Sequence, residues 1–236
     1  MPAPLVLAHR GARRVAPENT IEAFTRALDQ GADGVELDVH RTSDGRLVVH
    51  HDAEADRIGV LATRTLEEIR GLRPEIPTLD EALDACAGSL VNIEVKNLPG
   101  DADYDPEEQA VGLVGDVVVS RGRRDNVLVS SFNLATIDHL RAADETIPTA
   151  FLAMLGFTVL DALALCHSHG HGSFHPFVGL LAGEMAEQIV VRAHELGVRV
   201  NTWTVNDDDE VRRLAAAGID GIVTDVPDAA IRALRA

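Results

Sequence analysis

Four short groups of residues in this 236-residue chain contain the side chains that bind cations and phosphates. They are His9-Arg10-Gly11, Glu36-Leu37-Asp38, His51-Asp52 and Glu94-Val95-Lys96, each at the end of a short apolar run. Alternate residues of a β-strand share a face, so Glu36 would project beside Asp38. Glu94 would likewise project beside Lys96. Two histidines, three carboxylates, an arginine and a lysine at strand ends indicate a site for a hard cation and a phosphate group.

The three carboxylates Glu36, Asp38 and Glu94 predict a divalent-cation site. Oxygen ligands without a nearby cysteine suit Mg²⁺ or Ca²⁺, with Mn²⁺ as a further candidate. The alternative is that they form salt bridges with neighbouring arginines. Paired carboxylates on one buried strand face repel each other unless a cation lies between them, so the sequence favours the metal site.

His9 and His51 lie at the ends of different strands, where they can flank a bound phosphate. Histidine titrates near pH 6.5, roughly, and can give or take a proton at neutral pH, as general acid–base catalysis requires. One such histidine is commonly structural, but two beside a carboxylate cluster favour catalysis. Arg10 reaches the same site if the chain turns at Gly11, which glycine permits.

Lys96 is the only lysine among the 21 basic residues of the chain. Its position beside Glu94 indicates that a compact ammonium group is required there, because arginine and lysine are not interchangeable at a crowded site. The alternative is chance in a lysine-poor composition.

The composition limits the partners of the protein. Acidic residues outnumber basic ones by 38 to 21, a formal charge of −17, so we expect no binding to nucleic acid. No apolar run approaches the roughly 20 residues that span a bilayer, so we expect no stable membrane insertion. Cys86 and Cys166 are isolated, and the N-terminal residues lack the pattern of a secretory signal, which predicts a reduced, cytoplasmic protein. No oligomeric state is predicted.

The elements that must position these residues alternate between strand and helix patterns along the chain. Strands are predicted at 5–8, 35–39, 47–50, 91–95, 127–130, 149–152, 173–175, 198–205 and 219–224. Helices are predicted after Asn19 and at 106–118, 134–143, 158–166 and 186–196. Repeated strand–helix units of this length predict a parallel sheet covered by helices. At this chain length we expect one domain over residues 1–236, a TIM-type (β/α)₈ barrel. Nine strand candidates compete for eight places, so one must be a hairpin arm or a loop.

Local signals mark where several helices begin. Capping boxes are predicted at Asn19 with Glu22, Thr65 with Glu68, and Thr78 with Glu81. The acidic run 207–210 is expected to open a helix, where negative charge complements the macrodipole.

In order and spacing, the chemical groups resemble the motifs of the glycerophosphodiester phosphodiesterase family. The motifs are His9-Arg10-Gly11, Pro17-Glu18-Asn19-Thr20, Glu36-Leu37-Asp38, Asp44-Gly45, His51-Asp52 and Glu94-Val95-Lys96. The likeness continues more weakly through Ser131-Phe132, His175-Pro176, Trp203-Thr204-Val205-Asn206 and residues 221–225. The resemblance therefore covers nearly the whole chain, with one departure in the compact segment 53–65 that follows His51-Asp52.

This resemblance implies specific roles for the residues. The metal would be held by Glu36, Asp38 and Glu94, and His9 and His51 would be the acid–base pair. Arg10 and Lys96 would contact phosphate or substrate oxygen. His175 matches a family position near the mouth of the site, and Trp203 could either wall the substrate pocket or fill the core.

The implied reaction is the hydrolysis of glycerophosphodiesters to sn-glycerol 3-phosphate and an alcohol at the carboxyl-terminal face of the barrel. We expect His9 to act as the base and His51 as the acid. The glycerol 2-hydroxyl would attack to give a cyclic phosphate, with direct attack by water as the competing route. Two other functions remain as alternatives: a phospholipase D acting on lyso-sphingolipids, and a non-catalytic barrel that binds phosphodiesters.

A second group of histidines lies in one short glycine-rich stretch. His167, His169, His171 and His175 have the alternate spacing that could chelate a transition metal. The sequence favours a loop with incidental histidines over a second metal site.

Overall fold

The computed structural model describes residues 3–154, 156 and 158–235. The strands are β1 Leu5–His9, β2 Gly34–Arg41, β3 Leu47–Val49, β4 Glu54–Ala55, β5 Gly59–Val60, β6 Leu90–Val95, β7 Val127–Ser131, β8 Thr149–Ala153, β9 Ser173–Pro176, β10 Arg199–Thr202 and β11 Gly221–Thr224. Eight of them, all except β3, β4 and β5, pair in parallel in the order β1, β2, β6, β7, β8, β9, β10 and β11. Because β11 pairs again with β1, the sheet closes into the predicted barrel.

Helices follow the barrel strands and cover the outside of the sheet. They are α1 Ile21–Asp29, α2 Leu66–Leu72, α3 Leu79–Ala85, α4 Gln109–Ser120, α5 Leu134–Ala143, α6 Val159–Ser168, α7 Met185–Glu195, α8 Asp208–Ala216 and α9 Pro227–Arg235. Short 3₁₀ helices lie at Leu61–Thr63, Arg124–Asn126 and Val178–Leu181. Among the described residues, no helix has the length and apolar character needed to span a membrane.

The ninth strand candidate is β3, which forms a hairpin arm. It pairs antiparallel with the end of β2, with Val49 opposite Val39, and therefore lies outside the closed barrel. The weakest candidate, β9, is a true barrel strand between β8 and β10. In the segment that follows His51-Asp52, β4 and β5 form a small hairpin of their own.

The alternation of residues along β2 separates the core from the site. Val35, Leu37 and Val39 are fully buried in a hydrophobic cluster between the barrel and its helices. Glu36 and Asp38 therefore occupy the opposite face, which lines the inside of the barrel. A second hydrophobic cluster lies between the sheet and the helices in the other half of the barrel. It is formed largely by residues of β8 to β11 and helices α6 to α9. The apolar shell thus fixes the strands that carry the charged groups.

The predicted cap at Asn19 is wrong by one residue. Thr20 is the N-cap of α1 and accepts a hydrogen bond from Ala23 N at 3.2 Å. The third residue of the helix is then alanine, so Glu22 cannot complete a capping box. Asn19 instead has a left-handed backbone with φ 55° and turns its side chain to Asp38. The side-chain amide of Asn19 therefore contacts Asp38 and does not cap the helix.

Three other predicted helix starts are confirmed. Both remaining capping boxes form, at Thr65 with Glu68 and at Thr78 with Glu81. Asp207 caps α8 by accepting from the backbone N–H groups of Asp209 and Glu210. The helix predicted at 106–118 begins later, at Gln109, because Glu108 before it has a left-handed backbone with φ 55°. The strand predicted at 198–205 is shorter in the structure, where β10 spans only the four residues Arg199–Thr202.

Candidate active site

The predicted chemical residues meet around one cavity of about 350 Å³ where the barrel strands end. Its lining includes His9, Arg10, His51, Glu94, Lys96 and Trp203. Glu36 and Asp38 are buried next to it, 4% and 1% exposed. A volume in this range suits a small ligand. His175 is not brought to the cavity: it is 1% exposed, and burial lowers its pKa to about 3, so the ring is neutral.

Glu36, Asp38 and Glu94 form a compact carboxylate cluster on two neighbouring strands. The register of β2 on β6 places Asp38 directly opposite Glu94. One oxygen from each of the three residues lies within 4.8 Å of the others. Within the described part of the chain, Glu36 Oε1 is buried with no hydrogen-bond partner. Converging, under-bonded carboxylate oxygens are the donor set that fits a divalent cation.

The three carboxylates are like charges buried close together, and this shifts their pKa values. Burial, followed by the charges of Asp38 and Glu94, raises the pKa of Glu36 well above its ordinary value. Burial also raises the pKa of Glu94. For Asp38 burial acts in the same direction, but Lys96 and Arg10 outweigh it and lower the pKa. The site therefore needs more positive charge than its own side chains supply to hold all three carboxylates ionised.

Lys96 partly supplies that charge. Its Nζ atom lies 2.6 Å from Glu94 Oε1 and 3.0 Å from Asp38 Oδ1. Burial would lower the pKa of Lys96, but the two carboxylates raise it above its ordinary value, so the ammonium stays charged. The same atom lies 6.0 Å from the centre of the Phe132 ring. The lone lysine is thus placed inside the cluster.

Arg10 is held by an unusual backbone and by three acidic residues. Its φ of 56° is left-handed, and the following Gly11 has φ 81°, so the chain turns sharply there. The Arg10 backbone N–H donates to Glu36 Oε2 at 3.1 Å, and Nε lies 3.3 Å from Asp38 Oδ2. Its Nη1 atom donates to Glu18 Oε1 at 2.9 Å. A side chain on Gly11 would lie 2.6 Å from the backbone of Ala23, so glycine is required at the turn.

Asn19 is a site residue whose role the sequence analysis missed. Its Nδ2 atom donates to Asp38 Oδ2 at 2.8 Å, which orients that carboxylate. Its backbone N–H donates to Arg10 O at 3.0 Å and so fixes the turn. A sequence signal was available, because Asn19 lies in one of the family motifs, but its position before a helix favoured the cap.

His9 is oriented by Asp225, which follows β11 at the far end of the chain. The Nδ1 atom of His9 lies 2.7 Å from Asp225 Oδ1, and Asn206 Nδ2 donates to the other oxygen at 2.8 Å. Burial would raise the pKa of Asp225, but hydrogen bonds from His9 and Asn206 lower it to about 2. An ionised carboxylate only accepts, so His9 donates through Nδ1 and leaves Nε2 for the cavity.

His51 has a similar but more exposed partner. Its Nδ1 atom lies 2.7 Å from Asp52 Oδ1, and the Asp52 side chain is 71% exposed against 11% for Asp225. Burial, with the charge of Lys96 next, lowers the pKa of His51. Both histidines thus present Nε2, but the ring of His9 is fixed by the more firmly held carboxylate.

His40 is a second residue that the sequence analysis missed. It lines the cavity and continues the alternation of Glu36 and Asp38 along β2. Its Nδ1 atom lies 2.6 Å from Asp103 Oδ2, and its Nε2 atom lies 3.2 Å from the backbone carbonyl of His51. The His40 ring thus links Asp103 to the segment that carries His51.

Trp203 forms part of an aromatic wall. Its ring centre lies 5.4 Å from those of Phe132 and Phe177, edge-on to the first. Its Nε1 atom donates to His175 O at 2.9 Å, which links the wall to β9. The structure therefore places Trp203 on the cavity and gives its polar atom a partner.

Comparisons with known proteins agree with this arrangement. A model of the glycerophosphoryl diester phosphodiesterase family matches residues 9–229. A glycerophosphodiester phosphodiesterase from Caldanaerobacter subterraneus subsp. tengcongensis is 34% identical over 249 residues, covering 98% of this chain and 98% of the relative.

Two solved structures have the same fold over nearly their whole length. The glycerophosphodiester phosphodiesterase from Thermotoga maritima superposes with a TM-score of 0.84 at 26% identity, covering 98% of this chain and 99% of that one. An Oleispira antarctica phosphodiesterase, solved in complex with the product sn-glycerol-3-phosphate, gives a TM-score of 0.85 at 25% identity, covering 99% and 98%.

Proposed function

Because this chain belongs to the glycerophosphoryl diester phosphodiesterase family, we propose that it hydrolyses glycerophosphodiesters to sn-glycerol 3-phosphate and an alcohol with a divalent cation and two histidines. The chain is thus an enzyme, a phosphoric diester hydrolase. The observation that carries the detailed proposal is the convergence of three buried carboxylates beside two histidines on one small cavity.

Glu36, Asp38 and Glu94 would hold the cation, with Mg²⁺ or Ca²⁺ as the first candidates. The under-bonded oxygen of Glu36 and the raised pKa values of Glu36 and Glu94 support this assignment. When bound, the cation offsets the charge of the phosphate and makes a coordinated hydroxyl more acidic. Asn19 would keep Asp38 in position, because it donates to the carboxylate oxygen that Lys96 does not contact.

His9 would act as the base. With Nδ1–H donated to Asp225, Nε2 has the lone pair that removes a proton from the attacking hydroxyl. The attacking oxygen is either the glycerol 2-hydroxyl, which gives a cyclic phosphate that water then opens, or water itself. In both routes the new P–O bond forms as the bond to the alcohol breaks.

His51 would act as the acid and protonate the leaving alcohol. Its lowered pKa makes the protonated ring a stronger acid and reduces the fraction that is protonated at neutral pH. The rate should therefore fall as the pH rises above the pKa of His51. Asp52 is exposed and less able than Asp225 to fix one ring orientation, which supports giving the two histidines different roles.

Arg10 and Lys96 would contact the phosphate. They line the cavity and already lie against the carboxylate cluster, so their positive charges are fixed before substrate arrives. Trp203 would wall the pocket for the rest of the substrate. His175 would act only indirectly, through its carbonyl contact with Trp203. The cytoplasmic location stays a prediction from composition.

The experiment is a product assay on a panel of glycerophosphodiesters with different alcohols. The purified protein is treated with a chelator, and Mg²⁺, Ca²⁺ or Mn²⁺ is then added back separately. We expect sn-glycerol 3-phosphate to appear only with added cation. Full activity after exhaustive chelation would contradict the metal assignment, and release of glycerol with an alcohol phosphate would contradict the assigned bond cleavage.

A further inference from the structure

Two histidines of the glycine-rich stretch meet an aspartate at the end of the barrel opposite the cavity. The Nδ1 atom of His169 lies 2.8 Å from Asp138 Oδ2, and the Nε2 atom of His171 lies 3.1 Å from Asp138 Oδ1. We call Asp138, His169 and His171 the amino-end cluster, because His171 lies just before β9 begins. It is separate from the carboxylate cluster in both sequence and position.

We propose that the amino-end cluster binds a transition-metal cation of the Zn²⁺ type. Two imidazole nitrogens and one carboxylate are borderline ligands that favour Zn²⁺ over Mg²⁺ or Ca²⁺. One ligand atom from each residue lies within 4.8 Å of the others. This inference does not depend on the function proposed above.

An ion can enter the cluster after a limited shift of the side chains, since the ligand atoms already lie within 4.8 Å of one another. Two ligands bound tetrahedrally to Zn²⁺ lie roughly 3.3 Å apart, given bond lengths of about 2.0–2.1 Å. The two nitrogen–oxygen contacts are 2.8 and 3.1 Å and end on different oxygens of Asp138, so each would open by a few tenths of an ångström while the two ring nitrogens converge on the ion. The exposed His169 can make most of this adjustment, whereas His171 is buried.

Thr149 supports the cluster from behind. Its Oγ1 atom lies 2.9 Å from His171 Nδ1, and both groups are buried. A hydroxyl can donate to Nδ1 when the Nε2 proton is given to Asp138, or accept from Nδ1 when Nε2 binds an ion. Outer partners of this kind fix the orientation of metal-bound histidines. His171 Nδ1 therefore keeps its hydrogen bond to Thr149 whether or not an ion is bound.

The other histidines of the stretch do not take part. His167 is exposed on α6, and His175 lies inside the barrel with its Nε2 atom 2.9 Å from Asn201 Nδ2. The alternate spacing seen in the sequence thus brings together only two of the four. The bound ion would join α5 to the connection from α6 to β9, so its expected effect is stabilisation of the fold.

The test is calorimetric titration with Zn²⁺ of the full chain, together with its Asp138→Asn, His169→Gln and His167→Gln variants. All four proteins also carry Glu36→Gln, so that the carboxylate cluster lacks one ligand. We expect Asp138→Asn and His169→Gln to lose Zn²⁺ affinity by at least about 10-fold. The matched control His167→Gln should bind like the parent.

A thermal-unfolding series gives a second readout. A ligand that binds only the folded state raises the unfolding temperature as its concentration rises. Zn²⁺ should stabilise the parent and the His167→Gln control but not His169→Gln, whose changed side chain is exposed and leaves the core intact. Equal Zn²⁺ affinity and equal stabilisation in the parent and His169→Gln would overturn the proposal, as would the absence of Zn²⁺ binding to the parent.

Discussion

The two ends of the barrel use the same residue types in opposite ways. At the end where strands begin, Asp220 Oδ2 accepts from Val200 N at 2.7 Å and from His194 Nε2 at 2.8 Å. At the end where strands finish, Glu36 Oε1 is buried without a partner, within the described residues, and lies close to two further carboxylates.

The difference separates polar groups that stabilise the fold from those to which we assign the chemistry. A carboxylate that accepts several hydrogen bonds, such as the partly buried Asp220, stabilises the fold, whereas a buried one left under-bonded costs stability and needs a further explanation. The left-handed backbones of Arg10 and Asn19 occur at the same end as the under-bonded carboxylates. Backbone strain and under-bonded polar groups often occur together at functional sites, because the surrounding fold holds both in place.

The largest effect should follow from the carboxylate cluster. Glu36→Gln and Glu94→Gln each remove a charged group that we propose as a metal ligand, so we expect loss of metal binding and of nearly all activity. The metal-free variants should remain folded, because each change removes one of several like charges that are buried together. Calorimetry of Mg²⁺ or Ca²⁺ binding, with circular dichroism as the folding control, checks both parts. Unchanged metal affinity in both variants would place the cation elsewhere.

The next largest effect should come from the two histidines. His9→Ala and His51→Ala should each lower kcat/KM by roughly 10²- to 10⁴-fold, the usual contribution of a general acid or base. The wild-type profile of kcat/KM against pH should be bell-shaped, and each variant should lose one limb. Turnover of His51→Ala close to wild type would remove it from the catalytic pair.

Lys96→Arg tests whether the shape of the cation matters as well as its charge. Lys96 Nζ lies within 3.0 Å of two carboxylate oxygens, and the wider guanidinium cannot occupy the same space. Mispositioning at such a site can cost about 100-fold in rate, so we expect a loss of that order in kcat/KM. Parity with wild type would show that any cation suffices there.

Asp225→Asn should act through the orientation of His9. We expect a loss of about 10- to 100-fold in kcat, smaller than that of His9→Ala, with little change in KM.

The carboxylate of Asp225 also predicts a pH effect on the stability of the fold. Its pKa is about 2 in the fold against an ordinary 3.8, so its contribution is complete above 3.8 and disappears as the pH falls towards 2.

Denaturation of wild type and Asp225→Asn across that acidic range measures the effect. The stability difference between the two proteins should shrink as the pH falls. A difference that is independent of pH would mean that the fold does not lower the pKa of Asp225.

The smallest effect on catalysis should come from the opposite end of the barrel. Asp220→Asn weakens two charge-assisted hydrogen bonds, so the free energy of unfolding should fall by about 1–3 kcal/mol. The value of kcat should not change, since the residue lies at the end where strands begin. A large loss of kcat at full stability would break the distinction between the two ends.

Much of the barrel could be predicted because its signals are local. Strand and helix periods, and the capping threonines Thr65 and Thr78, act over a few residues. The extra strand β3 could not be assigned, because the period of a strand is the same in parallel and antiparallel pairs. Only its pairing with β2 shows that it lies outside the barrel.

The sequence predicted most of the residues that meet at the candidate site, His175 excepted, but not the contacts that support them. Alternation along a strand brought Glu36 and Asp38 together, and the same rule extends to His40, which the analysis of motifs did not use. Asp225 lies 216 residues from His9, so no local pattern could pair them. Asn19 has a cap-like sequence, but its contact with Asp38 across 19 residues is set by the tertiary fold.

The most direct test of the account compares three proteins in one assay of sn-glycerol 3-phosphate release, with saturating cation present. These are the wild type, the double variant His9→Ala/His51→Ala and Asp220→Asn. We predict that the double variant loses no more than the roughly 10²- to 10⁴-fold expected of one histidine, because the pair acts as a unit, and that Asp220→Asn keeps the wild-type kcat. Substantial turnover by the folded double variant would contradict the claim that catalysis depends on these two histidines at the end where the strands finish.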